Sequence, residues 1–196
     1  ALEKNGVIVE AIWLTHGHID HAGGAMELKE ALGVDIIGPH KADKMLLDKL
    51  EDQAKMFGLP GTVRNVTPDR WLEDGETLSF AGHDFEVLHC PGHAPGHVVF
   101  YNREASFAHV GDVLFRGSIG RTDFPRGNHT QLIDSITSKL WPLGPEIRFI
   151  PGHGPMSTFG QERQDNPFVA DSLTGYAGAQ KEDANAIDQK LAKRWS

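Results

Sequence analysis

His16-Gly17-His18-Ile19-Asp20-His21 decides how the rest of this chain is read. Within six residues it sets three imidazoles and one carboxylate. The β-branched and aromatic run Val7–Thr15 precedes it and reads as a buried strand. Ala25, Leu28 and Leu32 follow at helical spacing, up to a capping Gly33. The cluster therefore occupies a strand-to-helix turn, where side chains from a rigid scaffold converge. His16 and His18 share one direction there, Asp20 and His21 can take another, and Gly17 permits the tight backbone between them. A lone His-x-His would read as a solvated loop, but this density of ligand types at a strand end does not. Imidazole with carboxylate suits zinc, iron or manganese.

Three further segments repeat the placement. Pro91-Gly92-His93 follows a strand expected over Asp84–Leu88, and Gly111-Asp112 follows one over Phe107–Val110. Pro151-Gly152-His153 follows a strand over Ile147–Ile150. Ligand types at several strand ends suit a site assembled along one sheet edge. Other expected strands are Val34–Ile37, stopped by Gly38-Pro39, then Leu78–Phe80 and Val98–Tyr101. Ala42, Leu46, Leu50 and Ala54 form the apolar stripe of one longer helix ending at Gly58. Leu132, Ile133, Ile136 and Leu140 mark another over Thr130–Leu140. Strands mixed with helices give an α/β or α+β class with a largely buried sheet.

The 196 residues fit one domain of ordinary size. A net charge of −8 argues against a general nucleic-acid surface. No apolar run reaches the length of a membrane span and no signal-peptide pattern opens the chain, so a cytoplasmic protein is expected. Cys90 is the single cysteine, which excludes an internal disulfide and a thiolate cluster. It reads as a small packed side chain, and His97 as a structural histidine at the start of an apolar strand. His40, His83, His89, His109 and His129 read as surface or hydrogen-bonding residues.

HGHIDH (16–21), PGH (91–93), GD (111–112) and PGH (151–153) together resemble the metallo-β-lactamase superfamily over nearly the whole chain. HCPGHAPGHVVFY (89–101), GDVLFRGSIGRTDFPRG (111–127) and PGHGPMSTFGQERQDNPF (151–168) narrow the resemblance to short single-domain glyoxalase II-type hydrolases. That resemblance implies an αββα sandwich and two divalent metal ions, zinc first, with iron or manganese as alternatives. By position, His16, His18 and His93 would bind one metal, and Asp20, His21 and His153 the other, with Asp112 bridging. It also implies hydrolysis of S-lactoylglutathione or a related acylglutathione by a metal-bridging hydroxide. Asp20 and Asp112 are the candidate proton acceptors.

Substrate contacts are expected from Arg121, Arg126 and Lys139, whose cations suit a glutathione carboxylate, although each also reads as an ordinary solvated charge. A persulfide dioxygenase holding one non-haem iron by His16, His93 and Asp112 is the nearest rival, and it shares the look of Gly120–Phe124. Against it, His97 stands where that family often carries Cys. A lactonase or β-lactamase is the other alternative, because a metal core alone does not select the acyl bond. The N-terminal half-sheet is expected to be incomplete, since Ala1–Gly6 reads as the end of a first helix, and an unpaired edge would favour a homo-oligomer. The catalytic domain is expected over 1–170, with a polar extension over 171–196, helical from about Gln180 to Trp195, that reads as a surface helix or partly disordered tail, the alternative being a packing or dimerisation helix anchored by Leu191 and Trp195.

Overall fold

The computed structural model describes residues 6–59 and 61–176. The expected tail helix, Leu191 and Trp195 included, lies outside the described residues, as does most of Ala1–Gly6. Strands β1 (Ala11–Trp13), β2 (Asp35–His40) and β3 (Arg70–Leu72) make a parallel three-stranded sheet in that order. A six-stranded sheet runs β11 (Ser157–Thr158), β10 (Arg148–Pro151), β7 (Phe107–Gly111), β6 (Val98–Asn102), β5 (His83–His89) and β4 (Thr77–Phe80). Its β4-β5-β6-β7 run is antiparallel, while β10 joins β7 in parallel. A small hairpin, β8 (Leu114–Phe115) with β9 (Ser118–Ile119), follows β7.

Period-two alternation along each strand sends neighbouring side chains to opposite faces, and the layers follow from where they go. Trp13, Ile37 and Leu72 from the smaller sheet meet Leu78, Val87, Val98 and Phe100 from the larger one in a core between the sheets. Ile12, Ile36 and Trp71 point the other way, against α1 (Ile19–Ala22), α2 (Ala25–Leu32), α3 (Lys44–Leu47) and α4 (Leu50–Met56). Val99, Tyr101, Ala108, Val110 and Phe149 face α5 (His129–Ser135), its π-type continuation Ile136–Leu140, and α6 (Phe159–Asp165). The result is helix, sheet, sheet, helix. All five residues of β6 are buried because both of its faces are covered.

Several local expectations need correction. Only Ala11–Trp13 of the run Val7–Thr15 is strand, and Val7 and Ile8 are exposed, because among the described residues β1 pairs on one side only, with β2. β2 runs through Gly38-Pro39 to His40 instead of stopping before it. Leu28 and Leu32 remain exposed on α2. The single helix expected over Ala42–Ala54 is three pieces, a 3-10 turn at Lys41–Asp43 and then α3 and α4. Its buried side is Asp43, Leu47, Leu50 and Ala54, with Ala42 exposed. The first half is rotated because the Asp43 carboxylate turns inward to backbone donors, and the Leu47 carbonyl accepts the Val66 N–H rather than one from α4. Apolar patterning sees neither bond. β3, α6 and the β8–β9 hairpin had no sequence expectation. α7 (Asp171–Thr174) is tied back through the Arg163–Asp171 ion pair, and Arg163 also lies over the Tyr176 ring.

Candidate metal centre

Strand ends deliver the ligand types to one place. His16 follows β1 after the two residues Leu14-Thr15, and the Thr15 carbonyl accepts the Val98 N–H, which ties the smaller sheet to β6. His93 follows β5, Asp112 follows β7 and His153 follows β10. α1 begins directly after His18 and carries Asp20 and His21 on its first turn. Three sets of donor atoms lie close enough to share an ion: His16, His18 and His93; His16, His21 and Asp112; and Asp20, His21 and His153. All seven sequence candidates are therefore gathered in one cluster.

The first set is the drier. His16 is fully buried and His93 only 4 % exposed. His93 Nδ1–H donates to the Arg121 carbonyl at 2.8 Å, so its Nε2 carries the lone pair and faces His18 Nδ1 at 2.9 Å. His16 Nδ1 contacts the Thr15 hydroxyl at 3.1 Å, and its buried Nε2 has no partner. Burial lowers His16 well below the ordinary histidine range and lowers His93, and burial with the His93 ring brings His18 down to about 4. Neutral imidazoles with lone pairs converging on one point are what a divalent cation requires.

The second set is more open and more charged. His153 Nε2 lies 3.2 Å from His21 Nε2 and 3.1 Å from the Asp20 carboxylate, and the Asp20 and His153 side chains are 53 % and 56 % exposed. Burial works against a charge on His21, but the Asp112 and Asp20 carboxylates beside it, at 3.3 and 3.5 Å, outweigh burial and raise the ring to about 9. The His21 ring in turn holds Asp20 far below the usual carboxylate range. Asp112 stands between the sets, with one oxygen 3.3 Å from His21 and the other 3.7 Å from His93 and 3.6 Å from His153. Its Oδ1 is buried without a hydrogen-bond partner. Two orphaned buried atoms, His16 Nε2 and Asp112 Oδ1, amid nitrogens aimed at one another fit divalent metal held by these donors better than a hydrogen-bonded network. Gly152 is required here, because a Cβ would sit 2.1 Å from Asp112 Oδ1 and 2.7 Å from His21 Cε1.

The sequence profile of the metallo-beta-lactamase superfamily matches residues 2–153. The chain belongs to that superfamily. Its fold is the metallo-β-lactamase fold, in a family of metal-dependent hydrolases. It is 49 % identical over 169 residues to the hydroxyacylglutathione hydrolase GloC of Haemophilus influenzae, covering 86 % of this chain and 79 % of that one. Among solved structures it resembles TTHA1623 in a di-iron-bound form, at 41 % identity and a TM-score of 0.77, covering 86 % of this chain and 81 % of that one. The BLEG-1 B3 metallo-beta-lactamase is similar at 35 % identity and the same TM-score of 0.77, covering 86 % and 80 %. The superfamily binds divalent metals, as the donor set here requires. No helix among the described residues is long and apolar enough to cross a membrane.

Within this superfamily framework the remaining candidates separate. His97 is fully buried, stacks on His16 at 4.5 Å, and its Nε2 accepts the Asp112 N–H at 3.0 Å, so it supports the cluster from behind. Arg121 lies 3.8 Å over the Phe124 ring and is paired bidentately with Asp123, and Phe124 in turn packs edge-on against His18 at 5.5 Å. Arg126 is exposed at a positive φ of 70°, without an ion pair among the described residues. Lys139 is engaged elsewhere, donating to Asp74 at 2.8 Å and to the His89 carbonyl at 2.7 Å. Burial pushes the Cys90 thiol up to about 12, which fits a packing role and no nucleophile. Sequence reading missed Phe124 as a wall of the site, and also Asp43 and Gln53, whose contacts are with backbone and leave no motif.

Proposed function

We propose that this chain is a thioester hydrolase of the glyoxalase II type, acting on S-lactoylglutathione or a related acylglutathione. The observation that carries the reading is the meeting of two complete donor sets at Asp112, in a chain 49 % identical to a hydroxyacylglutathione hydrolase. His16, His18 and His93 would hold one divalent cation, Asp20, His21 and His153 the second, and Asp112 both. Zinc is the first expectation from the nitrogen-rich set, and iron is supported by the likeness to a di-iron-bound structure. When bound, the pair supplies Lewis acidity and brings the pKa of a water towards about 7.

The residues supply the rest. Asp112 is held by its own backbone N–H on His97, which orients its two oxygens towards both sets. The Asp20 carboxylate, half exposed beside His153, is placed to take a proton at the open side of the cluster. Phe124 shields His18 from solvent on the other side. A thiolate is a good leaving group, so little general acid is needed at the departing sulfur. Of the three cations expected to bind substrate, Lys139 is engaged by Asp74 and the His89 carbonyl, and the anion contact is assigned to Arg126, which has no ion pair among the described residues, and to Arg121, which is paired with Asp123 but lies over the Phe124 ring that packs on His18.

The test is turnover of S-lactoylglutathione with bound metal quantified in the same sample. Hydrolysis with two metals per chain is the expected result. Oxygen consumption with glutathione persulfide by the iron-loaded protein, without thioester hydrolysis, would overturn the reading in favour of a dioxygenase. Preferential turnover of a β-lactam would overturn its substrate class.

A further inference from the structure

Asp43 lies in no motif, yet its side chain is fully buried and bonded to two ligand-bearing loops at once. One carboxylate oxygen accepts the Gly17 N–H at 2.8 Å, between His16 and His18, and the other accepts the Gly96 N–H, in the loop between His93 and His97. Burial pushes its carboxyl up to about 6 and both N–H donors pull the other way. Among the described residues Asp43 has no cationic partner, which makes it a costly group to bury, and nothing in local helix formation requires it there.

The grip is wider than one side chain. The His40 N–H donates to the Gly96 carbonyl at 3.1 Å, so the 40–43 turn holds both backbone polar groups of Gly96. On the other side, Gln53 Oε1 accepts the Ile19 N–H at 3.1 Å, and its Nε2 donates to the Leu46 carbonyl at 3.0 Å and the Gly17 carbonyl at 3.4 Å. Both gripped positions exclude a side chain. A Cβ on Gly96 would lie 2.5 Å from Asp43 N and from the His40 carbonyl, and one on Gly17 would lie 2.9 Å from Leu46 Cβ. Residues 40–53 thus clamp the backbone of the two loops whose imidazoles, His18 and His93, face each other at 2.9 Å.

We propose that Asp43, seconded by Gln53, is a positioning residue that sets the gap across which His16 and His18 on one loop and His93 on the other share the first cation. The proposal rests on the reading of those histidines as metal ligands. It predicts a selective effect, because the clamp touches neither His21 and Asp20 beyond the Ile19 N–H nor the loop of His153. Loss of an outer contact that orients metal ligands typically costs ~10–100-fold in affinity.

Zinc affinity at each site, measured by chelator competition on the full chain, tests it. Asp43→Asn keeps the shape but offers only one acceptor oxygen to two N–H donors, and Gln53→Ala is a milder second variant on a half-buried side chain. In Asp43→Asn, the first site should weaken ~10–100-fold while the second keeps its affinity, and Gln53→Ala should shift the same site by less. His153→Ala as a background isolates the first site and should show the same loss. Equal weakening of both sites in Asp43→Asn, or unchanged affinity at both in Asp43→Asn and Gln53→Ala, overturns the proposal. Wild-type protein that takes up no zinc overturns the metal centre itself, and the positioning role with it.

Discussion

The two donor sets share Asp112 and differ in almost everything else. His16 and His93 are buried, held neutral by desolvation, and braced from behind by the Arg121 carbonyl, Thr15 and His97. Asp20 and His153 are more than half exposed, and the two carboxylates beside His21 raise its ring against the burial that would lower it. The first set is preorganised by packing, and the second by attraction among its own members. A substrate approaching from solvent therefore meets the charged, open half first, with the dry half beneath it.

The strongest way to break this contrast is to remove the group both halves share. Asp112→Ala should lose both metals and several kcal/mol of transition-state stabilisation, a fall in kcat/KM of ~10³, read by metal analysis and turnover. Retention of two metals would show that the halves are independent. Gly152→Ala attacks the same point through the backbone, since its Cβ would meet Asp112 Oδ1 at 2.1 Å. A ~10–100-fold loss of metal affinity is expected, with the fold intact by circular dichroism.

A paired experiment separates the halves. His93→Ala removes a buried ring with a hydrogen bond and should lower the stability of the metal-free protein by about 1–3 kcal/mol. His153→Ala, exposed, should stay within about 0.5 kcal/mol while losing one metal equivalent. Equal destabilisation by urea titration would mean that the exposed set is as much a part of the packing as the buried one.

Cys90 sharpens the picture of a closed interior. Burial pushes its pKa up to about 12, so it stays a thiol at pH 8. Native protein should not react with a thiol reagent at that pH, and reactivity should appear only with unfolding. Fast native labelling would show that the layer under α5 opens readily. The smallest effect is expected from Arg121→Ala, whose guanidinium is already paired with Asp123. KM should rise about three- to tenfold with kcat unchanged, and an unchanged KM would leave Arg126 as the anion contact.

Much of the centre was legible in the sequence because its signals are local. HGHIDH follows a strand, and His93, Asp112 and His153 each follow another with a glycine beside them. The sheet layers were legible only through the family resemblance, because Val98–Tyr101 is apolar at every position and the fold alone turns Val98 and Phe100 to one core and Val99 and Tyr101 to another. The apolar stripe over Ala42–Ala54 misled, because Asp43 obeys backbone hydrogen bonds from distant loops and periodicity records only apolar burial. β3 escaped notice since Arg70–Leu72 is too short to show a pattern and is strand only by pairing with β2.

The sequence by itself determined which chemical groups this protein brings to its centre and that they stand at strand ends, since residue type and local spacing are written along the chain. Tertiary structure decided what those groups are in place. His153 meets Asp20 across 133 positions of sequence, and burial, tautomer and charge at each imidazole depend on such partners. Desolvation and hydrogen bonding act between segments that only the folded chain brings together.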